Sequence, residues 1–257
     1  MKNPIRTLPA ILLALFAAGA VQASPISLDA LLNGSSITVG DKLFDNWRVV
    51  NYVSSDANRS FNAANIEVDA LADGGLDPGP GLRFSVNGGE LNVTGNDSYA
   101  YVDLMFGFSV TALDPALRIN GSSLQYPAGG AFWTYSIDRD HDLGSYIRES
   151  LDTTGILSSS AALGDLGTTK IEFSTKDDGT SQTSTSVVSD TATFAPQRTV
   201  WVTKNVFVWA VDSTDTAGVF GFDQRFSQTG VPIPVPGSLA LVTLALAGLV
   251  ASRRRAQ

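Results

Sequence analysis

The 257-residue chain has no cysteine, one histidine and few charges: 16% of its residues are Asp, Glu, Lys or Arg, against about 25% in an ordinary globular protein. Without cysteine, a disulfide scaffold, a thiolate zinc site and a thiol nucleophile are excluded. With only His141, a histidine-rich metal centre is excluded, and any Ser-His-Asp triad would have to use that residue. No window carries a long amphipathic helical period, which removes the crossover helices that a parallel sheet needs. Basic residues are scarce in the body of the chain. All 25 acidic residues lie between Asp29 and Asp223, and the body between the two end segments holds 12 basic ones, a net of −13. That balance opposes nucleic-acid binding, where a basic face must neutralise phosphates.

What is present begins with the two ends. Lys2 and Arg6 precede the apolar run Leu8–Ala20, and Val21-Gln22-Ala23 lies just before Ser24. A charged start, a short apolar stretch and compact residues at the end describe a secretory signal peptide over 1–23, cleaved between Ala23 and Ser24 by signal peptidase. At the other end, prolines at 232, 234 and 236 block helix and favour an extended spacer. An uncharged apolar run of 17 residues follows from Pro236 to Ser252, roughly 25 Å as a helix. This is a short transmembrane helix, with Arg253, Arg254 and Arg255 retained on the cytoplasmic side. The ends predict an exported body, held transiently at the inner membrane with the body periplasmic.

The tail, residues 230–257, resembles the PEP-CTERM sorting signal of Gram-negative bacteria. The family's Pro-Glu-Pro falls on Pro234, Val235 and Pro236, with Val235 where the family has Glu. Gly237 and the stretch after it, Ala247-Gly248-Leu249 and Arg253–Arg255 match the usual pattern, and Phe222–Gln228 is similar to the segment preceding such tails. The resemblance implies recognition by an exosortase, delivery to the cell surface or extracellular matrix, and association with exopolysaccharide in a biofilm-forming cell.

The body, residues 24–229, reads as one all-β domain. Short β-branched and aromatic runs recur between Gly, Asn and Asp punctuation. Strands are expected at Ser36–Val39, Leu43–Val53, Asn65–Leu71, Leu82–Asn87, Glu90–Thr94, Tyr99–Thr111, Ala131–Asp138, Lys170–Thr175, Ser184–Phe194, Val200–Val211 and Gly218–Ser227. Leu82, Phe84 and Val86 alternate with polar residues, as in a half-buried strand. Asn87-Gly88-Gly89 predicts a hairpin turn, and Gly107 between Phe106 and Phe108 predicts a bend or a close backbone approach. The architecture expected is an antiparallel β-sandwich, jelly-roll-like.

Asp138, Asp140, Asp142 and Glu149 stand at positions 1, 3, 5 and 12 of an acidic run. That is the carboxylate spacing of an EF-hand calcium loop, although Leu143 occupies the glycine position and no helix pair flanks it. The run is read as an acidic turn between strands that also offers a calcium site, with His141 as a surface residue inside it. Glu90 and Glu172 are a formal carboxylate pair of the glycosidase kind, one of many that 25 acids allow, and no catalytic residue is assigned. Trp47, Trp133, Trp201 and Trp209 are sugar-stacking candidates. Trp201 and Trp209, eight apart in one strand, share a face, which is read as a core face. The expected function is that of a non-enzymatic exported surface or matrix protein. The alternatives are a carbohydrate-binding module, with or without calcium, and a secreted glycan hydrolase.

Overall fold

The computed structural model describes residues 24–135, 141–177 and 179–231. The chain opens with β1 (Ile26–Ser27), the short helix α1 (Leu28–Leu32), β2 (Ile37–Val39) and β3 (Lys42–Ser54). A 3₁₀ turn at Ala63–Asn65 leads into β4 (Ile66–Leu71), β5 (Gly81–Val86) and β6 (Asn92–Thr94). The long strands β7 (Ala100–Ala112), β8 (Leu117–Gln125), β10 (His141–Asp152) and β11 (Gly167–Asp177) follow, with the short β9 (Ala131–Thr134) between β8 and β10. The described part ends with β12 (Gln182–Val187), β13 (Ser189–Gln197), β14 (Thr199–Ala210), β15 (Thr216–Val219) and β16 (Gly221–Gly230).

These strands form a six-stranded sheet in the order β1-β4-β5-β16-β8-β13 and a seven-stranded sheet in the order β12-β11-β10-β14-β7-β3-β2. A three-stranded sheet, β6-β15-β9, lies at one end. Every described strand pair is antiparallel. The all-β, antiparallel sandwich expected from the sequence is what folds. Its core lies between the two large sheets. Phe44, Trp47, Phe106 and Phe108 come from the seven-stranded sheet, and Phe84, Phe222 and Phe226 from the six-stranded one. Phe44 meets Phe226 at 5.8 Å and Phe84 meets Phe106 at 5.8 Å, both tilted, a geometry that suits the ring quadrupoles.

A polar chain also crosses this core. The Lys204 Nζ donates to Glu149 Oε2 at 2.7 Å, and both side chains are fully buried. Ser122 Oγ donates to Glu149 Oε1 at 2.6 Å, and Gln224 Nε2 donates to Ser122 Oγ at 3.1 Å. Lys204 and Glu149 belong to the seven-stranded sheet, Ser122 and Gln224 to the other. The ammonium lies 5.2 Å from the Phe222 ring centre and 5.9 Å from that of Phe84. Burial pulls the Lys204 ammonium below the ordinary lysine range, and Glu149 opposes that pull.

Several expectations change here. Asn87-Gly88-Gly89 does turn, with Gly88 and Gly89 at φ 63 and 71. It makes no hairpin, because β5 enters the six-stranded sheet and β6 the three-stranded one. The single strand expected at Ser184–Phe194 is divided: β12 pairs with β11, and β13 crosses to pair with β8. Besides the two-residue β1, two strands were not expected, β8 and β10. The second replaces most of the acidic turn: His141–Asp152 is a strand inside the seven-stranded sheet. Gly107 meets the expectation of close approach, since a Cβ there would lie 2.5 Å from the Val202 carbonyl oxygen and 2.7 Å from Ile156 Cγ2.

Candidate functional site

Strand β14 (TVWVTKNVFVWA) explains the site. Alternate residues face opposite sides of a sheet. Val200, Val202, Lys204, Val206, Val208 and Ala210 point into the core and are buried. The other phase carries Trp201, Asn205, Phe207 and Trp209, so the outer face is aromatic as well. The neighbours extend this. Register pairs Phe207 with Asp103 on β7 and with Tyr146 on β10, and pairs Trp209 with Tyr101 and Gly144. Ring centres run from Tyr99 to Tyr101 at 5.9 Å, Tyr101 to Phe207 at 5.9 Å, Phe207 to Tyr146 at 5.4 Å and Phe207 to Trp209 at 5.6 Å. Tyr99 is exposed, and Tyr101, Tyr146, Phe207 and Trp209 are half-buried. The Trp209 indole N–H donates to Asp142 Oδ1 at 2.8 Å, and Lys170 Nζ lies 4.8 Å above the Tyr146 ring.

This aromatic strip runs into a polar depression. Tyr146 O–H donates to Asn205 Oδ1 at 3.1 Å, and Asn205 Nδ2 donates to Asp103 Oδ1. Asp103 and Asn205, with Val50, Asn51, Met105 and Ser158–Ser160, line a space of about 310 Å³. Burial pushes the Asp103 carboxyl above the ordinary aspartate range, and the Asn205 amide draws it part of the way back. A second, larger depression of about 480 Å³ lies on the other side of Tyr101, bordered by Asp56, Arg59 and Asn96.

The far wall of the smaller depression is the segment between β10 and β11. Arg48 donates to the Ile156 carbonyl at 2.7 Å, the Leu157 N–H donates to Thr203 Oγ1 at 2.8 Å, and Arg148 donates to the Ala162 carbonyl at 2.9 Å. Ile156 is buried against Gly107. The segment is thus strapped across the outer face of β14 and β7.

Of the residues singled out from sequence, Trp201 and Trp209 do share a face, but it is the outer one; Trp47 is in the core, and Trp133 packs partly buried against it. Asp142 and Glu149 are seven residues apart on one continuous strand, hence on opposite faces and roughly 23 Å apart along it. Asp142 serves Trp209 and Glu149 serves Lys204, so those two carboxylates do not close one calcium shell. Asp138 and Asp140 lie outside the described residues. Among the described residues no group of three or more His, Asp or Glu side chains is placed to hold a metal. His141, read as a surface residue, is buried, with Nδ1 2.7 Å from Asp215 Oδ1. Glu90 accepts from the Asn62 N–H and from Asn65 Nδ2 beside the 3₁₀ turn. Glu172 pairs with Lys170 on β11, so the two glutamates are committed to different places. Ala23 and the sorting residues Pro234–Gly237 and Arg253–Arg255 also lie outside the described residues; Ser24 is exposed at the start of the described chain.

Sequence reading missed Asp103, Asn205, Tyr146, Phe207 and Tyr101. The available signal was the phase of the aromatics in β14, opposite to that of the aliphatic residues.

No family model matches the sequence, and no curated protein matches it. Three solved structures give distant likenesses. One is the carbohydrate-binding module TmCBM61 in complex with β-1,4-galactotriose, at 12% identity over 72% of this chain and 89% of that one, with a TM-score of 0.20. Another is the enzymatically active domain of tailspike protein 4 of bacteriophage CBA120, at 12% identity over 72% of this chain and 19% of that one, with a TM-score of 0.22. The third is endoglucanase 3 of Trichoderma harzianum, from family GH12, at 11% identity over 71% of this chain and 97% of that one, with a TM-score of 0.21. Likenesses this distant assign nothing to the present chain.

Proposed function

We propose that the body is a non-enzymatic carbohydrate-binding module on an exported chain, and that it uses the outer face of the seven-stranded sheet. The observation that carries this is the aromatic strip Tyr101–Phe207–Tyr146–Trp209 running into the Asp103–Asn205 pair. A pyranose has an apolar C–H face and a rim of hydroxyls. The first packs on an aromatic ring, and the second needs fixed acceptors and donors. Both are supplied here side by side on a rigid sheet, where little ordering entropy is lost on binding. The test is affinity electrophoresis in gels containing β-1,4-galactan, β-1,4-glucan, xylan or alginate, with and without a calcium chelator. Retardation by at least one polymer that Trp209→Ala relieves supports the reading. Equal mobility in every gel refutes it, and relief by chelator alone would move the site to a cation.

The chain's ends support a further proposal, that the body is exported and sorted by an exosortase-type system to the surface or matrix. The intact mass of the protein from its native envelope tests it. Loss of residues 1–23 and of the residues after about Pro236 is the expected result. A mass running from Ser24 to Gln257 would mean a permanent anchor.

A further inference from the structure

We infer that this face takes the ends of polysaccharide chains and not their interiors, an inference that rests on the carbohydrate-binding reading above. The outward residues of β14 run Trp209, Phe207, Asn205, Thr203, and those of β7 beside them run Tyr101, Asp103, Met105, Gly107. A chain lying along this path meets aromatic rings first, then the Asp103–Asn205 pair. It goes no further. At the next step the Leu157 N–H is bonded to Thr203 Oγ1 at 2.8 Å and Ile156 is packed on Gly107. Ser158–Ser160 close the same side of the depression.

The wall is built in. Arg48 from β3 holds the Ile156 carbonyl at 2.7 Å, and Arg148 from β10 holds the Ala162 carbonyl at 2.9 Å. Asp165 accepts from the Thr153 N–H at 2.9 Å and tightens the base of the segment. Gly107 has no Cβ, and any side chain there would displace Ile156 or strike the Val202 carbonyl. The space before the wall is about 310 Å³.

The chemistry inside suits a terminal unit. A chain end carries a free hydroxyl that an interior unit has spent on its glycosidic bond. Asp103 and the Asn51 amide face the space, as do the hydroxyls of Ser158–Ser160. Asp103 has one oxygen held by Asn205, which leaves the other as an acceptor for such a hydroxyl. The Tyr146–Asn205–Asp103 chain fixes that carboxylate before the sugar arrives. The penultimate unit then lies on Phe207 and Tyr146, and the next on Trp209 and Tyr101.

The experiment uses β-1,4-galactan and β-1,4-glucan, each as intact polymer, as fragments of known mean length and as purified di- to hexasaccharides, titrated calorimetrically into the full exported body. The inference predicts that binding sites per gram of polymer rise in proportion to chain ends as the chains shorten. Oligosaccharide affinity should level off by the tetrasaccharide. Ser158→Trp, at an exposed wall position, should weaken oligosaccharide binding at least tenfold without moving the thermal midpoint. If the number of sites follows polymer mass and ignores chain length, or if Ser158→Trp binds as well as the parent, end recognition is overturned while the aromatic platform stands. If neither polymer nor any oligosaccharide binds while another polymer retards the body in gels, the same titration with that polymer decides by the same rule. If nothing binds in either assay, the carbohydrate-binding reading fails, and end recognition with it.

Discussion

Strands β10 and β14 carry two polar networks, back to back. On the inner side, Glu149 and Lys204 are wholly buried and tied to Ser122 and Gln224 of the opposite sheet. On the outer side, the next residue along, Asn205, is tied to Tyr146 and Asp103 at the floor of an open depression. The inner network is sealed from solvent and fastens one sheet to the other. The outer one leaves acceptor capacity facing solvent. A strand can therefore pack a core on one face and present open polar and aromatic groups on the other, provided that its two phases are kept chemically separate. The difference lies in what surrounds each polar group: phenylalanine rings on one side, half-exposed tyrosine and tryptophan on the other.

Substitutions sharpen or break this contrast. The largest effect should come from the inner pair. Lys204→Met leaves Glu149 buried without its counter-charge and should cost about 3–5 kcal/mol of stability, whereas the double variant Lys204→Met with Glu149→Leu should recover most of it. Urea unfolding measures both, and a single variant as stable as the double would show that the inner network is not a coupled pair. Next, Trp209→Ala should weaken binding to a retarding polysaccharide by up to about tenfold, as expected for an aromatic contact of ~0.5–1.5 kcal/mol. Its unfolding midpoint should move less than that of Lys204→Met.

Asp103→Asn tests the outer network by pH. Burial raises the Asp103 carboxyl in the folded state, so the native protein holds that proton more tightly than the unfolded chain does. The parent should therefore gain stability as pH falls from the raised folded value towards the unfolded value of about 3.9, and lose that gain as pH rises through the folded value. The difference in thermal midpoint between parent and Asp103→Asn, followed from neutral pH down to about pH 4, should show that trend. A flat difference would place Asp103 in water. The smallest effect belongs to Lys170→Ala. Its ammonium lies over Tyr146 but is 46% exposed, which supports about 0.5–1 kcal/mol at most before salt screening. Urea unfolding measures it, and a loss of gel retardation by a bound polysaccharide without a loss of stability would mean that Lys170 touches the ligand.

The sequence made the sandwich legible wherever strands alternate cleanly. Leu82, Phe84 and Val86 all point into the core, and the run around Phe106 and Phe108 is β7. Strand β8 escaped because Asn120-Gly121-Ser122-Ser123 has the composition of a turn. Only the distant Glu149 and Gln224 explain why Ser122 is tolerated in the core. Strand β10 escaped for a related reason. Acids at 138, 140, 142 and 149 look like ligands when the base that neutralises the last of them is 55 residues away. Local pattern gives faces and turns. It does not give partners. The aromatic strip was half legible, since the shared face of Trp201 and Trp209 followed from spacing. Which side of the sheet that face occupies depends on where the second sheet packs.

The exit of the chain has a consequence for presentation. Strand β16 ends beside the start of β8, and the Val231 N–H donates to the Ala116 carbonyl at 2.8 Å. That corner adjoins Ala112, the last residue of β7, whereas Tyr101 lies at the other end of the same strand, eleven residues and roughly 37 Å away. The body thus has two poles. The described chain leaves at one, and the aromatic strip begins at the other. On the binding reading proposed above, a glycan seated on Tyr101 and Trp209 would trail away from the pole at which the described chain leaves, like a line paid out from the tip of a mast.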